Sequence, residues 1–289
     1  MRVRLIAALL WLASPNVALA SGHGPVFGIA TPVNGRGGWT LDQVFTTRTG
    51  ENGESSEMLK TMVTYGITEE LQLSVSLPLA MHDGNLSPAR MMSLMSSDKE
   101  IEGLVGYRFH KRPVGIGGRF ESTVYGGGTL PFEVRRGAVR AGQPRPAVGA
   151  SLEVGVATGY ASRAHYFWVG GGIQGFFQRK QDRYGASRLV TAVYGYRPRP
   201  LRADGKPDLR FFGEATFEDR GATTLAGRTV DAARTLFAGP TTLFLYKAWG
   251  LEGGVLFPVH QTVGTTRVKE RARLAVNVSY FFWPGKGTK

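Results

Sequence analysis

Residues Leu71–His82 read LQLSVSLPLAMH: the odd positions are apolar, and the even positions carry Gln72, Ser74, Ser76, Pro78, Ala80 and His82. Successive side chains of a strand point to opposite faces, so this stretch is a strand with one greasy and one polar side. The greasy side meets either a soluble core or lipid. Pro78 is the awkward residue. It has no N–H to give to a ladder, and it predicts a bulge or a locally missing bond.

The alternation recurs. Trp39, Leu41 and Phe45 alternate with Thr40, Asp42 and Thr46, and Leu59, Val63, Tyr65 and Ile67 with Lys60, Thr64 and Gly66. Ile101, Val105, Tyr107 and Phe109 alternate with Glu102, Gly106, Arg108 and His110, and Ile116, Phe120 and Val124 with Gly117, Arg119 and Glu121. Leu152, Val154 and Val156 face away from Glu153; Phe167, Val169, Ile173 and Phe177 face away from Gln174. Leu209, Phe211 and Phe217 oppose Arg210, Glu214 and Glu218; Leu251 and Phe257 oppose Glu252 and His260; Val276, Val278, Tyr280 and Phe282 oppose Arg273 and Asn277. Around 187–197, Val190, Tyr194 and Tyr196 share one side, and 234–247 is a strand whose pattern leaves its face open. The total is about twelve strands, an even number, each about as long as a tilted crossing of the hydrocarbon requires. Soluble sandwich strands are shorter, about five or six residues.

The connections alternate as well. Long polar ones fall at 48–57, 83–99, 129–146, 180–186, 219–233 and 261–270; short ones fall at 67–70, 111–114, 159–164 and 247–248, with 198–207 the longest on the short side. Short turns at one end and long loops at the other are usual for an up-and-down membrane barrel. The aromatics weigh the same way. Trp39, Tyr107, Phe109, Phe177, Phe217, Tyr246, Trp249, Phe257, Tyr280 and Phe282 lie near strand ends on the greasy face, as interfacial girdles do. A closed sheet also leaves no backbone edge unpaired in lipid. We therefore expect an all-β, transmembrane, antiparallel up-and-down β-barrel of about twelve strands. Its polar face makes Lys60, Glu102, Arg108, Arg119, Glu121, Glu153, Arg210, Glu214, Glu252 and Arg273 the expected lumen lining. A mixed-sign lining in a narrow barrel admits both a conducting and a plugged reading.

The ends of the chain carry different signals. Arg2 and Arg4, the apolar run Leu5–Leu12 and Ala18-Leu19-Ala20 form an export signal cleaved near Ala20. The expected division is 1–20 signal peptide, 21–37 periplasmic segment able to plug the barrel, 38–283 outer-membrane barrel and 284–289 tail. The 289 residues include 40 Gly and no Cys, so stability rests on backbone pairing and burial rather than disulfides. The formal charge is +13, with basic residues crowded in the loops. Arg pairs well with phosphate, so lipopolysaccharide head groups and outer-membrane lipid are the expected partners, together with the barrel-assembly machinery and a small-molecule solute. Export and the lack of a groove-reading motif argue against nucleic acid.

Three constellations carry little chemistry. Gly170–Gly175 (GGGIQG) matches a dinucleotide fingerprint in letters, but it lies within a strand and no helix follows. Its glycines instead ease bending or leave lumen space. His82, His110, His165 and His260 are scattered and none belongs to a His-x-Ser word, so no hydrolase pair and no enzyme is expected. His82 and His260 suit the lumen or its outer rim. Ser21-Gly22-His23 would offer an amine, two amides and an imidazole to Cu(II) or Ni(II) if cleavage follows Ala20, which makes His23 the one candidate metal contact; no cofactor is expected.

The words GHGPVFGIATPVNGRGGW (Gly22–Trp39) and TYGITEELQLSVSLPL (Thr64–Leu79), with the alternating aromatic C-terminus, resemble a family of bacterial outer-membrane proteins labelled "meta-pathway of phenol degradation". The resemblance implies a barrel that takes up small molecules, hydrophobic ones among them, and implies no catalytic residues. The expected function is a passive channel or uptake protein. The alternatives are a non-conducting structural or metal-handling barrel and, last, an outer-membrane lipid hydrolase.

Overall fold

The period-two pattern becomes a single sheet that closes on itself. The structure, a computed structural model, describes residues 24–83, 100–131, 150–177, 183–198, 207–225 and 228–283. Its strands are β1 (Trp39–Gly50), β2 (Ser55–Gly66), β3 (Leu71–Asp83), β4 (Glu100–Pro113), β5 (Arg119–Pro131), β6 (Ser151–Ala161) and β7 (His165–Phe176). They continue as β8 (Ser187–Tyr196), β9 (Asp208–Arg220), β10 (Thr223–Leu225), β11 (Arg228–Val230), β12 (Ala233–Tyr246), β13 (Trp249–Val263) and β14 (Glu270–Phe282). Among the described residues twelve of these strands form a closed antiparallel barrel, with β10 and β11 a separate hairpin. Closure is made by β1 against β14, from Trp39 opposite Phe282 to Gly50 opposite Glu270. Among the described residues no helix is long and apolar enough to cross a membrane.

In β3, Leu73, Val75, Leu77 and Leu79 point outward and are exposed, whereas Ser74, Ser76 and Pro78 point inward and are buried. A bulge falls beside Pro78. Lys60 of β2 pairs with Pro78 and Leu59 with Ala80, so Leu79 is the extra residue. The β3–β4 ladder covers Leu71 to Ser76 and ends before Pro78, so β4 does not need the missing N–H, and on the β2 side the ladder shifts register beside it.

The outer face is a belt of exposed apolar side chains around the circumference, including Leu41, Val63, Val105, Val154, Val190, Phe211, Leu251 and Val276. A soluble protein rarely leaves so large a contiguous apolar surface to water; lipid is the solvent that suits it. Toward the short-turn end the belt becomes aromatic. Trp39 lies 4.5 Å from Tyr65 and 6.1 Å from Phe282, and Trp249 lies 4.8 Å from Tyr280, ring centre to ring centre. Val190, Tyr194 and Tyr196 of β8 all face outward. β12 read ambiguously because both its faces are apolar: Phe237, Leu243 and Leu245 are buried inside while Phe244 and Tyr246 are exposed outside.

Several expectations need correction. Ile116 lies in the β4–β5 turn and is 98% exposed, because Gly115 and Gly117 (φ 63° and 73°) bend the chain there. His110 is exposed and packs edge-on against Phe120; a bulge between Arg108 and His110 takes it off the inward face. His260 is also exposed, opposite Leu236 and just beyond a bulge in the β12–β13 ladder, and is not in the interior. The side chain of His82 lies outside the described residues. The connection 48–57 shrinks to the turn 51–54, because β1 and β2 pair as far as Thr49 opposite Ser55. The described part of the β13–β14 connection lies at the same end. There Thr266 N–H donates to Asp231 Oδ2 (3.2 Å) and Asp231 N–H to Thr266 Oγ1 (2.8 Å). The bond from Thr266 N–H holds the Asp231 carboxyl below its ordinary range, and the pair ties the β11–β12 connection to the β13–β14 connection.

Candidate functional site

Residues 25–34, ahead of β1, lie inside the barrel. Val26, Phe27, Ile29, Val33 and Thr31 are all buried. Glu214 on β9 is the first anchor. Val26 N–H donates to its Oε1 (2.8 Å), and Phe27 N–H (2.8 Å) and Gly28 N–H (2.7 Å) donate to its Oε2. Thr241 Oγ1 of β12 donates to Oε1 as well. Three successive backbone N–H groups converging on one carboxylate form an anion nest. Ile29 N–H then donates to Thr191 Oγ1 of β8 (3.2 Å). Next, Tyr125 O–H donates to Ala30 O, Thr123 Oγ1 to Thr31 O (2.7 Å), and Trp168 Nε1 to Thr31 Oγ1 (3.1 Å). Asn34 N–H donates to Gln72 Oε1 of β3 (2.8 Å), and Asn34 Nδ2 to Thr40 Oγ1 of β1 (2.8 Å). The segment therefore crosses from the β8–β9–β12 wall to the β1–β3 wall.

Apolar contacts seat it. Val26 and Phe27 cluster with Phe237, Leu256 and Ala275, and Ile29 with Ala157 and Leu189. Each such side chain, fully buried, is worth roughly 1.5–3 kcal/mol. Gly170 of the GGGIQG word sits beneath Ile29, where an added Cβ would lie 3.0 Å from Ile29 Cβ. The glycine makes room for the segment.

Gly66 has the same role where the segment joins β1. Its N–H donates to Gly38 O and its carbonyl accepts from Gly37 N–H, both at 2.8 Å. A Cβ there would stand 2.1 Å from Gly35 O, backbone that has no flexible side chain to yield. Because the sequence has no Cys, Ile29→Cys supplies a unique thiol that reports on docking. Gly66→Val is expected to speed maleimide labelling of that thiol in detergent-solubilised barrel. An unchanged rate in a folded variant would show that this junction does not hold the segment.

The expected lining residues fall into separate groups. Arg273 of β14 is 1% exposed and forms the centre of the largest. Its Nε meets Glu270 Oε2 at 2.7 Å, its Nη2 meets Glu218 Oε2 at 3.0 Å, and its Nη1 meets Glu218 Oε1. The guanidinium carbon stands 3.9 Å from the ring centre of Phe237. Arg48 and Arg220 complete the group through Glu270, at 2.6 and 3.1 Å. β9 and β14 are separated in the wall by β12 and β13, so the Arg273–Glu218 bridge spans the interior.

At the short-turn end Arg108 Nη1 meets Glu121 Oε1 at 3.1 Å, and Arg119 meets Oε2 at 3.0 Å with its side chain 43% exposed, at the rim. Arg210 lies there too, paired to Asp208 at 2.6 Å and over the Tyr166 ring. Glu252 accepts from Asn277 Nδ2 (3.2 Å), which also donates to Asp42. Glu102 accepts from Ser76 Oγ (3.1 Å). Lys60 and Glu153 are buried on inward faces. His23 lies outside the described residues.

Sequence reading missed Arg48, Arg220 and Glu270, because they end strands whose polar inward residues read as loop. It also missed Thr191, Thr123 and Trp168, whose importance comes from what the segment places against them; Gln72, on the polar face of its strand, does face the interior and accepts from Asn34 N–H.

No protein-family model matches this chain, and no curated protein matches it in sequence. Among solved structures, it is similar to the crystal structure of an outer membrane channel from Pseudomonas putida F1, at 13% identity and a TM-score of 0.58, over 90% of this chain and 99% of that one. The structure of Pseudomonas aeruginosa OccK2 (OpdF) in complex with glucuronate aligns over 85% of this chain and 97% of that one, at 11% identity and a TM-score of 0.39. The first of these likenesses is one of fold.

Proposed function

We propose that this chain is an outer membrane channel that passes small solutes by diffusion, with residues 24–38 as the constriction that sets what passes. The observation that carries the reading is the combination of a lipid-compatible outer belt with a charged interior crossed by the chain's own N-terminal segment. A barrel serving only as scaffold could fill its interior with side chains; this one uses a segment held largely by hydrogen bonds to wall side chains. Ile29, Met62 and Leu104 face the space beside the segment, which supports solutes with an apolar part. The meta-pathway resemblance points the same way. Of the lining residues named from the sequence, Arg273 in one ionic group and Arg108, Arg119 and Glu121 in another then act as two collars, while Glu214 holds the segment between them.

The test is single-channel recording of the full chain in planar bilayers, with swelling of sugar-loaded liposomes as a second readout. Discrete current steps and solute-dependent swelling are expected. No current and no swelling from a barrel that shows heat-modifiable migration would overturn the channel reading.

A further inference from the structure

On β8, β9 and β12 the outer wall ends in a charged row. Leu189, Glu218, Arg220 and Thr235 are buried on the inner side of these strands, so their neighbours Arg188, Asp219 and Arg234 lie on the outer side. The ladders put the three side by side, with Arg188 of β8 and Arg234 of β12 each opposite Asp219 of β9. Arg188 Nη1 stands 3.5 Å from Asp219 Oδ2, and Arg234 Nε stands 3.2 Å from Oδ1. Two guanidinium groups therefore flank one carboxylate, and a positive charge is left over. The arginine side chains are 67% and 68% exposed, against 21% for Asp219, so the face they offer outward is mainly guanidinium.

The next outward row is Val190, Phe217 and Leu236, aligned by the same two ladders. It lies two residues nearer the short-turn end, about 7 Å along the strands. Val190 and Phe217 are exposed there and belong to the apolar belt. The charged row thus sits where the belt stops, at the end that carries the long connections 177–186 and 221–232. In an outer-membrane barrel that end faces outward from the cell, so the row is level with the head groups of the outer leaflet.

Charge on the lipid face of a barrel is tolerated near an interface, where an arginine keeps its stem on the apolar wall and its head among polar groups. Exposed ion pairs contribute little to folding, so stability does not account for the row. Its layout matches a ligand with a phosphate above acyl chains. A guanidinium fork takes two phosphate oxygens at once, and Asp219 draws two such forks to one place.

We propose that Arg188 and Arg234, positioned by Asp219, seat one phosphate of a lipopolysaccharide molecule on the outer wall, with its acyl chains over Val190, Phe217 and Leu236. Basic loops attract such lipids diffusely; this seat is fixed in the ladder and selects one place on the circumference. The inference does not depend on conduction. It needs only a barrel in the outer membrane.

The test is native mass spectrometry of the folded full-length barrel in detergent with added lipid A. The wild type is expected to retain one lipid A at about a tenfold lower lipid concentration than the double variant Arg188→Gln, Arg234→Gln. Arg112→Gln, an exposed arginine at the short-turn end, is expected to behave as wild type. Without any variant, dephosphorylated lipid A and phosphatidylglycerol are both expected to bind more weakly than lipid A, and inorganic phosphate is not expected to displace it. Equal retention by wild type and the double variant, both showing heat-modifiable migration, would overturn the inference. So would an equal loss in Arg112→Gln, or dephosphorylated lipid A binding as well as lipid A. Phosphatidylglycerol binding equally well would make the row a general anionic-lipid contact, and displacement by inorganic phosphate would make it a free-anion site; either result overturns the lipopolysaccharide seat.

Discussion

Glu214→Ala is expected to free the N-terminal segment and raise the single-channel conductance severalfold, toward the value of a chain lacking residues 24–34. The reason is the concentration of bonds on one carboxylate. Three backbone N–H groups at 2.7–2.8 Å and the Thr241 hydroxyl all converge on Glu214, which is 2% exposed. Hydrogen bonds to a charged acceptor contribute about 1.5–3 kcal/mol each, and water entering the vacated space recovers part of that. A net loss of about 3 kcal/mol shifts the docked-to-free ratio more than a hundredfold. Glu214→Gln separates charge from shape, because its amide offers one acceptor and turns a donor toward the nest. It should fall between wild type and alanine. The Ile29→Cys thiol gives a second readout, with labelling expected to accelerate in step with conductance. If Glu214→Ala and the deletion both conduct as wild type does, the segment is not the constriction.

The second large effect concerns stability. Arg273→Met is expected to cost about 3–5 kcal/mol in denaturant unfolding of the barrel in detergent or lipid, the range for breaking a buried ion pair from one side. The substitution keeps an unbranched apolar stem, removes the guanidinium that lies over Phe237, and leaves Glu218 and Glu270 facing each other with Arg48 and Arg220 as the remaining cations. Arg273→Lys keeps the charge and loses the planar fork that reaches both carboxylates, so an intermediate cost is expected. Arg234→Ala provides the contrast. Arg234 pairs with Asp219 at 3.2 Å, but its side chain is 68% exposed, and such pairs contribute about 0–1 kcal/mol. Equal costs at Arg273 and Arg234 would mean that the interior around β9 and β14 is as wet as the surface.

Period-two alternation determined the barrel without help from tertiary contacts. In LQLSVSLPLAMH, and in strands such as β6 and β14, one face is apolar and the other polar, and lipid against a polar interior demands that division. Even the irregularity at Pro78 was legible, because a missing N–H is a property of the residue itself. The pattern failed where that division does not hold. β12 is apolar on both faces, since part of the interior beneath the segment is a hydrophobic cluster of Trp168, Phe212, Leu243, Leu245 and Phe281. Strand ends at Arg48, Arg220 and Glu270 read as loop, since an inward-facing charge near a mouth has the same letters as a solvated one.

What the sequence by itself determined was which face of most strands meets lipid, the even number of strands and the presence of a moderately apolar stretch ahead of the first of them. Only the tertiary structure decided where that stretch goes. Glu214 and Val26 are 188 positions apart, and nothing in either local sequence marks one as the partner of the other. Closing the sheet brings β9 and β12 opposite β1–β3 across a narrow interior, and a segment tethered at Trp39 can then satisfy its backbone N–H groups on wall side chains rather than on water.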